Sequence, residues 1–137
     1  MDKNIVYELE KTLHEINSQT LALFREKKFP VSKEQWLILK RISEEEGSSQ
    51  KDIAKDTFKD PAALTRMLDL LAKKGFVQRK GSKRDRRTFD VYLTVEGNRL
   101  VNRIRPILEN LNLTVSRKLS ARDKTYLFEI LAKVQAH

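Results

Sequence analysis

Cysteine is absent from the sequence, which excludes disulfides, thiolate metal sites and redox sensing through a thiol. Histidine is nearly absent too: His14 falls on an amphipathic stretch and His137 is the last residue. There is no glycine-rich phosphate loop, and no pattern pairs a nucleophile with a base or gathers metal ligands. The chain is therefore not expected to be an enzyme, or to hold a metal or cofactor. Long apolar runs are missing as well. No stretch of about 18 apolar residues occurs and no basic start leads into an apolar segment, so the expectation is no membrane span, no secretory signal and a cytoplasmic location.

What remains is a short, charged, basic chain. At 137 residues, 39% hydrophobic and 34% charged, it suits one domain, or a small domain with dimerisation arms, on the scale of roughly 100 to 200 residues per domain. Its formal net charge is +9. From Lys59 to Arg87 ten basic residues stand against three acidic ones, a local +7, so most of the excess lies in one stretch.

That stretch begins as a helix. Asp60 suits an N-cap and Pro61 the first helical position, while Lys73, Lys74 and Gly75 make a natural end. Leu64, Leu68 and Leu71 recur at helical spacing as a buried stripe, widened by Met67 and Leu70. The opposite stripe is Ala62, Arg66, Asp69 and Lys73, flanked by Ala63 and Thr65. Small side chains let a helix approach base edges closely, and Arg66 could fork onto a guanine or a phosphate. Next come a strand over Phe76 to Lys80, a turn begun by Gly81-Ser82, and a half-buried strand in which Phe89, Val91 and Leu93 alternate with Thr88, Asp90 and Tyr92. The tip between them holds Lys80, Lys83, Arg84, Arg86 and Arg87 around Asp85, and like charges packed so closely repel unless an anion lies nearby. A helix followed by such a hairpin is the pattern of a winged helix-turn-helix.

Elsewhere the chain reads as helices. One amphipathic helix runs from about Asn4 to Lys27, with Ile5, Leu9, Leu13, Ile16 and Phe24 on its stripe. A second starts at Ser32 with Gln35 completing a capping box, Val31 and Trp36 flanking it as a hydrophobic staple, and Gly47 ending it. Trp36 reads as core, with ligand stacking as the alternative. A short helix, Gln50 to about Asp56, starts at Ser49 with Asp52, and Thr57-Phe58-Lys59 forms the turn of the helix-turn-helix. The first helix of such a motif crosses the DNA backbone, so Ser48, Ser49, Gln50 and Lys51 are candidate phosphate contacts as well as capping residues. After the hairpin, Thr94 caps a helix to about Arg117, with Leu111 on its stripe and a kink expected at Pro106. Ser120 and Asp123 start a last helix bearing Tyr126, Leu127, Ile130, Leu131 and Val134.

The run from Leu64 to Gly97 resembles the core of the MarR family of bacterial transcription regulators. It is carried by Thr65-Arg66, Leu68-Asp69, Leu71, Lys74-Gly75, Val77, Arg79, Asp85-Arg86-Arg87, Leu93-Thr94 and Gly97 in their order and spacing. One position departs: Ser82 stands where the family's wing often has an aspartate. The resemblance implies a mainly α fold with a small β-hairpin wing, a winged helix-turn-helix lobe plus a helical dimerisation body. The corresponding segments are a dimerisation helix (1–30), the DNA-binding lobe (31–95) and C-terminal dimerisation helices (96–137). It implies a homodimer that binds double-stranded DNA at a pseudo-palindromic operator, with recognition helices in major grooves about 34 Å apart or a multiple of that. A repressor released by a small amphipathic effector fits the family plan. The recognition-helix contacts would come from Lys59, Ala62, Ala63, Thr65, Arg66 and Lys73, and the wing contacts from Lys80, Lys83, Arg84 and Arg86. Asp85 and Arg87 would brace the wing. Ile5, Leu9, Leu13, Ile16, Leu111, Leu127, Ile130, Leu131 and Val134 would meet the partner. Some relatives sense peroxides through a cysteine, which this chain lacks.

The alternative is a winged helix used for protein contacts without specific DNA binding. Such a module would carry an apolar or acidic face in place of Asp85-Arg86-Arg87 and the local +7. RNA recognition is disfavoured by the lack of paired aromatics on the outer face of the hairpin.

Overall fold

The computed structural model describes residues 4–57 and 59–136. Among them the elements run α1 (Ile5–Glu26), α2 (Lys33–Glu44), β1 (Ser48–Ser49), α3 (Gln50–Asp56), α4 (Pro61–Lys73), β2 (Val77–Gly81), β3 (Phe89–Leu93), α5 (Val95–Ser116) and α6 (Ala121–Gln135). Each helix starts on a side-chain cap. Ser32 and Gln35 exchange hydrogen bonds, as do Ser120 and Asp123. Asn4, Ser49, Asp60 and Thr94 each accept a backbone N–H from the first turn of their helices. Such caps contribute about 1 kcal/mol apiece.

α4 ends in a Schellman motif. The Phe76 N–H donates to the Leu71 carbonyl and the Gly75 N–H to that of Ala72, with Gly75 at φ +87°. α1 ends the same way through Phe29 to Phe24 and Lys28 to Arg25, so Lys28 takes the left-handed conformation, φ +55°. Pro106 lies inside α5, which continues past it to Ser116.

The sheet has a strand that the residue pattern did not reveal. Gly47, at φ +82°, turns the chain so that its N–H donates to the Val91 carbonyl, and Ser48-Ser49 then pairs antiparallel with Val91 and Asp90. The order is β1-β3-β2, and β2 begins at Val77, one residue later than the alternation suggests. α2 likewise stops at Glu44, short of Gly47.

One core, drawn from α2, α3, α4, the sheet and the first half of α5, holds the lobe together; Ile38, Leu39, Ile42, Ile53, Leu64 and Leu68 are among its fully buried members. Trp36 belongs to it. α5 joins this core by close approach at Gly97: a Cβ there would lie 2.1 Å from the Phe76 carbonyl oxygen, so only glycine lets the helix start against the end of the hairpin. Two expected core residues do not reach it. Leu70 flanks the stripe of α4 too far round to be covered, and Phe89 keeps the alternation of β3 but lies beyond the end of the core; both are exposed. No described helix is long and apolar enough to cross a membrane.

Candidate nucleic-acid interface

The outward face of α4 presents Ala62, Thr65, Arg66 and Lys73 to solvent, with Ala63 half-buried. The Thr65 hydroxyl donates to the Pro61 carbonyl one turn back, leaving its lone pairs and methyl outward. Asp69, on the same face, is engaged: its carboxylate lies 2.7 Å from a guanidinium nitrogen of Arg79 in β2. Arg79 also donates from Nη2 to the Thr65 carbonyl at 3.1 Å and from Nε to the Gln50 side chain at 2.7 Å. This one residue therefore fastens the first wing strand to the recognition helix and to the start of α3. Its role was not legible in the sequence beyond its place in the family-like run, because its partners lie up to 29 residues away.

The wing turn is built by short polar side chains. Ser82 Oγ accepts from the backbone N–H groups of Arg84 (3.1 Å) and Asp85 (3.3 Å), the task a turn-opening aspartate performs, here without a charge. The Asp85 carboxylate accepts from the Arg87 backbone N–H at 3.0 Å and from its Nε at 3.2 Å. These bonds, the backbone one first, hold the Asp85 carboxyl below its usual value of 3.8, and Lys51 adds a smaller pull in the same direction. The expected pair of Asp85 with Arg87 is thus present. Lys83, Arg84 and Arg86 project from the tip into solvent. Lys80 instead lies over the Tyr92 ring, 4.7 Å from its centre.

Several other candidates sit differently from the expectation. Ser48 is buried, 6% exposed, accepting from Arg41 and donating to the Glu45 carbonyl, so it cannot meet a phosphate. The β1 pairing that turns it inward is the cause. Ser49 caps α3, and Gln50 is occupied by Arg79, leaving Lys51 as the exposed residue of that group. Lys59 leans back onto Glu34 at the start of α2, 3.1 Å away, rather than outward along α4. Phe58, in the turn before it, lies outside the described residues.

Away from this face the apolar side chains of α1 and α6 are left open. Ile5, Leu9, Leu13, Leu127, Ile130 and Val134 are exposed, and Ile16, Leu111 and Leu131 are half-covered. Phe128, not singled out in the sequence because it lies off the main stripe, is 69% exposed. An open cleft of about 970 Å³ lies between the end of α1 and the start of α2. Leu21, Phe24, Phe29, Val31 and Leu37 line it with apolar surface, and Arg25, Lys28, Lys33 and the acidic Glu34 line it with charge. Trp36 does not line it.

Comparison with known proteins agrees with this geometry. The MarR family model matches residues 31–89. The transcriptional regulator HosA of Escherichia coli O157:H7 is 23% identical over 122 residues, covering 89% of this chain and 90% of HosA. Among solved structures, the S. aureus MepR–DNA complex superposes with a TM-score of 0.89 at 22% identity, over 98% of each chain. A cysteine-to-serine mutant of MarR from E. coli, complexed with operator DNA, does so at 0.81 and 25% identity, over 98% of this chain and 100% of that one.

Proposed function

We propose that the protein, whose residues 31–89 match the MarR family model, binds duplex DNA as a homodimer and represses transcription from a pseudo-palindromic operator. The observation that carries this reading is the pair of basic elements locked in one orientation. Arg66 on α4 and Lys83, Arg84 and Arg86 on the wing are exposed and, among the described residues, in no ion pair, while Arg79 fixes one element against the other. α4 would enter the major groove and the wing would follow the neighbouring backbone or minor groove. The similar MarR mutant was captured on operator DNA. α1, α6 and the second half of α5 would supply the pairing surface, because among the described residues nothing covers their exposed apolar side chains, whereas the first half of α5 belongs to the lobe core.

The cleft between α1 and α2 supports a second part of the reading. An apolar lining with three cationic residues against one acid, Glu34, suits a small amphipathic anion, which would act as effector by shifting α1 against the lobe.

The test is selection from a pool of random duplexes, followed by anisotropy and a salt titration on the winner. An inverted repeat with half-sites one helical turn apart is expected, with a log–log salt slope of about 0.9 per neutralised phosphate. Arg66→Ala should weaken the selected site by roughly 1 to 3 kcal/mol more than random DNA, whereas Arg84→Ala should weaken both alike and flatten the slope. Recovery of no sequence, with weak binding that vanishes as salt rises, would leave only a basic surface and favour a protein-contact module.

A further inference from the structure

Phe89 is the large apolar side chain on the basic wing that the core does not use, and half of its surface is open to solvent, 50%. Its direction is set by register. Val91 and Leu93, two and four residues on, are buried, so the ring leaves the strand on the face that packs against the helices. Arg79, opposite Val91, leaves on that same face and reaches Gln50 of α3 and Thr65 and Asp69 of α4. Phe89 therefore sits two residues along β3, about 7 Å, from the position opposite Arg79, on the side of the wing tip. Its cross-strand partner is Gly81, where an added Cβ would touch nothing within 4 Å. No side chain stands directly across the strand from the ring, since its partner there is a glycine.

An exposed phenylalanine two residues beyond a stretch of net +7, Lys59 to Arg87, is a poor fit to an apolar protein surface, because the nearby guanidinium and ammonium groups would lose water without gaining partners. It fits a polyanion with apolar patches between its charges. Duplex DNA has this character: deoxyribose rings lie between successive phosphates. We infer that Phe89 packs on the sugars of the strand that passes between the recognition helix and the wing, fixing how deeply the wing seats while Arg84 and Arg86 hold the phosphates on either side. This rests on the proposed DNA-binding function. The contact is apolar and independent of base sequence, so it differs in signature from every basic residue nearby.

The test is salt-dependent binding of the full chain to a selected duplex and to random duplex, for the unaltered protein and for Phe89→Ala, Phe89→Leu and Arg84→Ala, with urea midpoints measured alongside. Phe89→Ala should weaken both duplexes by roughly tenfold, as expected for about 1.4 kcal/mol of apolar burial, and leave the salt slope unchanged. Phe89→Leu should restore most of the loss, while Arg84→Ala flattens the slope by about 0.9. Should Phe89→Ala unfold the hairpin, Phe89→Thr keeps a strand-forming side chain without the ring and should show the same loss. If the unaltered protein binds and Arg84→Ala flattens the slope, but the Phe89 variants bind within twofold of it, the inference is overturned and the DNA-binding reading stands. Losses that track the urea midpoint through all Phe89 variants would also overturn it, assigning the ring to hairpin stability. An unaltered protein that binds neither duplex would remove both.

Discussion

At the scale of single residues, the wing depends on which backbone donor each short side chain accepts. Asp85 takes the Arg87 N–H first and the Arg87 guanidinium second, and both favour its ionised form. A carboxyl whose folded value is depressed stabilises the fold fully above its unfolded value and loses that contribution as pH falls through the folded one. The brace is therefore complete above about 3.8 and is lost only at more acid pH. A carboxyl-carbon NMR titration should find the Asp85 midpoint below 3.8. Arg87→Ala should raise it part of the way back, since the backbone donor survives the substitution; no movement at all would assign the shift elsewhere. Lys59 carries a second residue-scale expectation. Glu34 neutralises it at 3.1 Å, so Glu34→Gln should tighten binding to random duplex and steepen the salt slope by about 0.9. An unchanged slope would mean that Lys59 stays turned away from DNA even when unpaired.

At the scale of elements, the join between hairpin and α5 depends on Gly97. A methyl group there overlaps the Phe76 carbonyl, and strain in a packed join of this kind costs about 3 kcal/mol. Gly97→Ala should lower the unfolding free energy by that amount in urea titrations; a variant of undiminished stability would show that α5 can slide away freely. The element boundaries also separate what could be read from the sequence and what could not. Ser32, Ser49, Asp60, Thr94 and Ser120 all cap the helices that their spacing announced, because a cap bonds three residues ahead and leaves its mark within one turn. The pairing of Ser48-Ser49 with β3, the Lys59–Glu34 contact and the Arg79 bracket join residues far apart in the chain, and no local pattern encodes them. Leu70 and Phe89 mark a third limit: periodicity gives the phase of a side chain, but where the core ends depends on what packs above it.

At the scale of the whole molecule, the exposed stripes of α1 and α6 account for a chain whose lobe has one complete core while its flanks have little cover. Placing a carboxylate in the middle of the α6 stripe should separate the protomers of the proposed dimer. Each buried isoleucine contributes about 2 kcal/mol, and a two-fold interface contains it twice. Ile130→Glu should thus raise the dimer dissociation constant at least about a thousandfold, read by analytical ultracentrifugation, with the lobe's circular dichroism intact. Operator affinity should fall with it, since one lobe alone meets one half-site. A variant that sediments as the unaltered protein does would move the pairing surface off α6.

No residue of α6 is buried within its own chain. Fifteen residues of isolated helix are marginal in water, so in a lone protomer this segment opens often and offers its backbone to proteases. In the proposed dimer, pairing would close that opening. An unpaired chain would then be short-lived and a paired one would persist, so the standing amount of the protein would rise more steeply than its rate of synthesis. Below a certain output the cell would hold almost none of it, and above that output the proposed operator occupancy would set in abruptly, a threshold that needs no effector.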